Sequence, residues 1–331
     1  MNSQAKFFEA IREKLPDNVH LANVAGEVLG WKSDAAYRRV RGDTELSYSE
    51  IAKLCAHFGV SFDAAQQEHQ ANNVSFRYTP LDLNGFENFY LYKDNLAKTF
   101  EAIAAATEKD IILTALDVSV YHLTPFKELG FFKDYTWFQG MTNEKTSFEK
   151  FVASLDTKRI AGYFDRITAA YQQIPSAEIW TYDTLNPILN LLEYYAALHC
   201  FENKQKTLSL LFRQLHELID NVEQNAERGW KAYKNKQVPF RMYISPLSIM
   251  NDFLVANRNG AKVGTIKLHT INALFTDNEY FCSEIEKWLV DMQSKSLPLT
   301  GGSARERMQF FKRLRDKVEE VMARLGMKVL S

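Results

Sequence analysis

Three glycines, Gly30, Gly42 and Gly59, punctuate the first sixty residues of this chain. Each closes a short stretch whose apolar residues recur three and four positions apart. This pattern constrains the fold more than any other feature. Glycine accepts the positive φ that a tight exit from a helix needs. Helices this short are marginal alone, so they must share a core. Phe7, Phe8, Ile11 and Leu15 define a first helix, stopped by Pro16. Val24, Ala25, Val28 and Leu29 define a second, ended by Gly30. Ser33 is placed to cap a third, Asp34 to Arg41, closed by Gly42. Ser47 and Glu50 form a capping-box pattern that opens a fourth, with Ile51, Leu54, Cys55 and Phe58 inward.

The whole chain has 331 residues, enough for about two domains. The polar stretch at 64–73 marks the boundary. The expected division is therefore a helical domain over 1–65, a linker over 66–78 and a larger domain over 79–331. Apolar residues make up 46% and charged residues 24%, the balance of a packed globular chain. No apolar run reaches the ~20 residues of a membrane helix, and the start lacks the pattern of a signal peptide. Cys55, Cys200 and Cys282 are odd in number and far apart, which fits neither a disulfide framework nor a metal motif. A cytoplasmic location and no membrane partner are expected. Net charge is −1, and residues 1–65 hold 8 Lys/Arg against 9 Asp/Glu. Binding to nucleic acid must therefore use a local basic surface rather than bulk charge.

The larger segment reads as helix-rich. Helices are expected over 96–106, around Ile160 to Tyr171, from Asn186 to about Phe201, and along the seam Leu208, Leu211, Leu215, Ile219, Val222 and Ala226. Two more are expected over 277–292 and after Ser303, where Ser303 and Glu306 repeat the capping-box pattern. Asp110–Leu123 reads as a strand. Asn259-Gly260, between two β-like runs, is the favoured type I′ hairpin turn. The expected fold class is mostly α: an all-α N-terminal helical domain, then a larger helix-rich α+β domain with a late β-hairpin.

The chemistry of the first domain lies in its third helix. Gly30 permits the tight turn before it, and Gly26 lets it pack closely. Trp31, Ala36 and Val40 face the core. Lys32, Ser33, Asp34, Ala35, Tyr37, Arg38 and Arg41 are left outward, suited to the major groove, with the first turn nearest the base edges. Asp34 also suits the positive end of the helix dipole. The pattern Ala25-Gly26-Glu27-Val28-Leu29-Gly30, then Ser33, Ala36 and Gly42, then the capped helix from Ser47 to Ser61, resembles the Cro/phage-repressor-like (XRE-type) helix-turn-helix family. The resemblance covers about residues 5–63. Gly26 stands where the family usually has alanine. Ala36 stands where it has a larger apolar residue, and the position after Asn23 lacks a common phosphate-binding glutamine. The resemblance implies a DNA-binding transcriptional regulator. Lys32, Ser33, Asp34, Ala35, Tyr37 and Arg38 would face bases or groove wall, with Arg39 and Arg41 toward phosphate. Gly30, Gly42, Ser47 and Glu50 would shape the turns and caps. The implied partner is double-stranded DNA, bound by a homodimer.

The larger segment carries no nucleotide, zinc-protease or serine-hydrolase motif. Asp117 and His122 fall on opposite faces of a strand, and His199 with Cys200 are adjacent on a helix and do not face each other. No catalytic residue, metal or cofactor is expected. A dimerisation or small-molecule effector role is. Two other readings stay open: a protein-interaction scaffold or antitoxin-like module, and an enzyme with a site assembled from scattered residues.

Overall fold

The computed structural model describes residues 3–16, 18–66, 74–78, 81, 85–142, 145–247, 249–268 and 272–327. The chain divides into two compact units, residues 1–76 with 278–281, and residues 77–277 with 282–331.

Among its described residues the first unit holds five helices: α1 (Ser3–Arg12), α2 (Leu21–Leu29), α3 (Ser33–Arg41), α4 (Tyr48–Phe58) and α5 (Phe62–Gln66). Phe7, Phe8 and Ile11 of α1 meet Leu21 and Ala25 of α2 and Leu54 of α4 in one buried cluster. Val40, Leu46, Ile51 and Phe58 pack around it. α1 to α4 supply between one and four buried residues each, so the shared core and not helix propensity holds them. Gly30 (φ 70°) and Gly42 (φ 87°) are left-handed. After each, the chain folds back on the helix it has left: Trp31 N–H donates to Gly26 O at 2.9 Å, and Asp43 N–H to Arg38 O at 2.8 Å. These bonds satisfy carbonyls that a helix end leaves orphaned. The Ser47–Glu50 capping box is complete, with both reciprocal bonds made.

The larger unit is built on a sheet. Its first elements are β1 (Arg77–Tyr78), α6 (Phe86–Ala105), β2 (Lys109–Ala115), α7 (Val120–Leu123), α8 (Lys127–Met141), α9 (Phe148–Ser154) and α10 (Thr157–Tyr171). Then come β3 (Ser176–Trp180), α11 (Asn186–Ala197), α12 (Lys204–Arg228), β4 (Trp230–Tyr233), β5 (Lys236–Ile244), β6 (Phe253–Arg258) and β7 (Ala261–Lys267). The last are β8 (Ala273–Thr276), α13 (Glu279–Ser294), β9 (Leu297–Pro298) and α14 (Ala304–Arg324). Among the described residues nine strands pair, in the order β1-β8-β7-β6-β2-β3-β5-β4, with β9 on β5. β3 is parallel to both β2 and β5, and the other pairs are antiparallel. Residues alternate across β2 and β3, as the strand period of two requires. Ile111, Leu113, Ala115 and Trp180 face the large helical core. Ile112, Ala177 and Ile179 face the other side, where Leu289 and Met292 of α13 cover them.

A mostly helical chain with a single late hairpin is therefore not what forms: a nine-stranded mixed sheet runs through the larger unit. The missed strands have physical reasons. β3 has five residues and a charged one, Glu178, at its centre. β5 alternates well, with Val238, Phe240, Met242 and Ile244 buried, but Lys236, Gln237, Pro239 and Arg241 are exposed and mask it. The β4–β5 turn uses Lys234 at φ 51° instead of a glycine pair. The Asn259-Gly260 hairpin does form, joining β6 and β7 at φ 52° and 85°. The strand expected over Asp110–Leu123 ends at Ala115, and Val120–Leu123 is helical. Ser303 makes no side-chain cap bond, so that second capping box is absent. Of the expected linker, 67–73 lie outside the described residues, while Arg77 and Tyr78 pair with β8. The basic last helix packs into the unit. Its Arg307 donates to Leu299 O and Gly301 O at 3.1 Å. Lys317 and Arg324 pair with Asp183 and Glu193, and Arg315 holds Asp220 and Glu223.

Candidate nucleic-acid interface

α3 presents its outer side to solvent because its inner side is small. Ala36 is 1% exposed against α2, and a Cβ built on Gly26 would lie 3.4 Å from Ala36 Cβ. Close approach of the two helices leaves Lys32, Ser33, Asp34, Tyr37, Arg38 and Arg41 exposed together, with Ala35 half-buried at the margin. Lys32 is the N-cap residue and Ser33 opens the helix, one position from the expected cap. Lys32 and Arg38 make no ion pair among the described residues. Arg41 sits 3.3 Å from Asp43, but both are more than half exposed, and such a pair in water is worth ~0–1 kcal/mol. Asp34 occupies the first turn, where the helix dipole favours a carboxylate.

Arg39 has a different place. Its guanidinium stacks 4.6 Å from the Trp31 ring centroid and lies 3.3 Å from Glu50 Oε1. Its side chain is 22% exposed. The fold holds Arg39 as a strut rather than leaving it free in solvent. Glu50 joins three elements: it accepts from the Trp31 indole N–H at 3.0 Å, from Ser47 N–H at 2.7 Å, and pairs with Arg39. Partial burial works against its charge. The Ser47 backbone and hydroxyl, Arg39 and Trp31 outweigh that and hold the carboxyl below the usual glutamate range. On the opposite flank, the Gln4 amide of α1 donates to Arg39 O at 2.7 Å and Thr44 O at 2.8 Å, and accepts from Leu46 N–H at 2.8 Å. Gln4 thus fixes the end of α3 and the loop after it. Sequence reasoning missed Gln4, and no local signal marks it, since its partners are 35 to 42 residues away.

The larger unit has its own concentration of polar groups, fully enclosed. Glu178 on β3 is 0% exposed. It accepts from Tyr171 Oη at 2.5 Å, His122 Nε2 at 2.9 Å and Trp180 Nε1 at 3.0 Å. Burial opposes its charge. His122, Tyr171 and Trp180 outweigh that and bring the carboxyl down to about 2. Lys231 on β4 donates to Tyr171 O, Ile174 O and Ser176 Oγ at 3.0, 2.7 and 2.9 Å. Burial pulls its pKa down to about 7. Three acceptors, however, match the three N–H bonds of an ammonium, so the amine is held protonated. A second buried pair, Lys93 with Asp134, lies among Phe89, Trp137 and Phe164. The Glu178 and Lys231 bonds tie helices to the sheet, and the Lys93–Asp134 pair ties α6 to α8. Asp117 and His122 do not meet: Asp117 pairs with Lys133 at 2.5 Å and His122 with Glu178. The Cys200 thiol points to Leu198 O. Among the described residues, no three His, Cys, Asp or Glu side chains are grouped as a metal would need. No described helix is long and apolar enough to cross a membrane.

Comparison with known proteins finds no matching family, no matching characterised protein and no matching solved structure.

Proposed function

We propose that this chain is a sequence-specific DNA-binding transcriptional regulator acting in the cytoplasm, with α3 inserted in the major groove. The observation that carries the reading is the outer face of α3. It groups Lys32, Ser33, Tyr37 and Arg38 on a short, well-braced helix, with both cations unpaired among the described residues. Arg38 is the candidate for bidentate contact with guanine, and Tyr37 for apolar contact with a thymine methyl. Arg41 exchanges Asp43 for a phosphate. Arg39 acts indirectly, by fixing α3 through Trp31 and Glu50. In a homodimer, two copies of α3 would lie about one helical turn, ~34 Å, apart on a pseudo-palindromic site. The larger unit would supply dimerisation or effector sensing.

The test is selection of bound duplexes from random DNA, with wild type and with the double variant Arg38→Ala, Arg41→Ala. Wild type is expected to enrich one motif. The variant should lose discrimination at one or more positions, and its dependence of binding on salt should flatten by about one unit per phosphate contact removed. No enriched motif, or equal binding by the variant at every salt concentration, overturns the reading.

A further inference from the structure

We infer that the β4–β5 hairpin is a second surface for the DNA backbone, an inference that rests on the reading above. From Arg228 to Asn251 the chain carries five cations, Arg228, Lys231, Lys234, Lys236 and Arg241, and no Asp or Glu. This stands out in a molecule of net charge −1. Lys231 alone turns inward, to the buried cluster. The other four are exposed, and none makes an ion pair among the described residues.

Elsewhere in this unit many cations are matched. Arg159 pairs with Glu87, Arg166 with Asp94 and Glu101, and Lys262 with Glu286. The nearest acid in the chain, Glu227, lies 4.0 Å from Arg307. The hairpin therefore presents charge that the fold does not neutralise. Two aromatic rings stiffen it: Arg228 stacks 5.4 Å from the Trp230 centroid, and Lys234 lies 5.4 Å from that of Tyr233. Lys234 also holds a left-handed backbone at φ 51°, a conformation uncommon for lysine and easier for glycine or asparagine. A cation is kept at the tip of the turn although another residue would fit it better.

Charge complementarity selects the occupant. Among the described residues β4 ends the sheet path, with no strand on its outer edge, and phosphates accept from backbone N–H groups and from cations alike. Lys236 and Arg241 are five residues apart on β5 and so project from its opposite faces, with Lys234 at the turn before them; the hairpin therefore carries cations on both of its sides. The surface carries no base-reading element, so it adds affinity without changing the recognised sequence. Lysines on an edge strand also discourage sheet-to-sheet association, and the experiment separates the two roles.

Full-length wild type is compared with Lys234→Gln, Lys236→Gln, Arg241→Gln, and with a milder Lys236→Gln, Arg241→Gln variant. A charge-matched control carries Lys145→Gln, Lys158→Gln, Lys204→Gln. Binding to a fluorescent duplex is measured by anisotropy across salt concentrations, and self-association by light scattering. The triple variant is expected to lower the slope of log K against log salt by about two to three, and affinity at ~0.1 M salt at least tenfold. The milder variant should fall between, and the control should match wild type. The motif selected from random DNA should not change. An unchanged slope, an equal change in the control, or greater self-association with unaltered DNA binding overturns the proposal. If wild type selects no motif while the hairpin variants still lose affinity for random duplex, the hairpin contact stands and the α3 reading falls.

Discussion

Removing the Glu50 carboxylate should loosen the helical unit from several sides at once. Glu50→Ala deletes half of the capping box with Ser47, a loss of about 1 kcal/mol. It leaves the Trp31 indole N–H without its acceptor at 3.0 Å, about another 1 kcal/mol. It also strips Arg39 of its ion pair, in which both side chains are about a fifth exposed; partial burial puts this at ~0.5–1 kcal/mol. The sum is roughly 3 kcal/mol. A unit of some 65 residues has on the order of 3–10 kcal/mol in total, and each kcal/mol shifts Tm by ~4–8 °C at this size. The expected result in scanning calorimetry is a fall of 10 °C or more, roughly, in the transition of the helical unit, with that of the larger unit unmoved. Glu50→Gln should fall between, because its amide oxygen still accepts one bond. A loss below ~0.5 kcal/mol, the range of an ordinary surface substitution, would refute the assignment of Glu50 as the brace of α3.

The remaining expectations concern one small residue and one buried charge. Gly26→Ala places a methyl 3.4 Å from Ala36 Cβ and 3.5 Å from Trp31 O, ordinary contact distances. It should raise stability by ~0.5–1 kcal/mol through helix propensity, without changing DNA binding; a destabilised unit in urea unfolding would show the contact to be tighter than described. Glu178 is brought down to about 2 from 4.5. Its folded value lies below its unfolded one, so its stabilisation is complete above pH 4.5 and disappears as pH falls toward 2. The shift corresponds to about 3 kcal/mol. Urea unfolding from pH 6 down to pH 2 should show wild type losing about that much more than Glu178→Gln; parallel curves would exclude the linkage.

Legibility differed sharply between the two units. In the helical unit, the helix ends were visible because backbone chemistry writes them locally: Gly30, Gly42 and Gly59 for left-handed exits, Ser47 and Glu50 for a cap. The inward face of α3 was legible from Ala36 and Val40. Spacing sets Arg39 beside Arg38 and Arg41 and does not show that Trp31 and Glu50 draw it inward. The sheet was largely hidden. Glu178 reads as a surface residue until His122, Tyr171 and Trp180 surround it, and those lie 56, 7 and 2 residues away.

The amino-acid order by itself determined what depends on neighbours a few residues apart: the glycine exits, the capping box, the Asn259-Gly260 turn and the amphipathic seam of α12. These follow from φ preferences and from bonds spanning three to five residues. Tertiary structure alone decided which polar residues are inside. Burying Glu178, Lys231, Lys93 and Asp134 is favourable only when partners from distant segments meet them. It also decided which cations remain free. Most of those on α14 are matched across the unit, while those of β4–β5 meet no acid among the described residues. A charge's partner is set by the fold around it, and no local pattern records it.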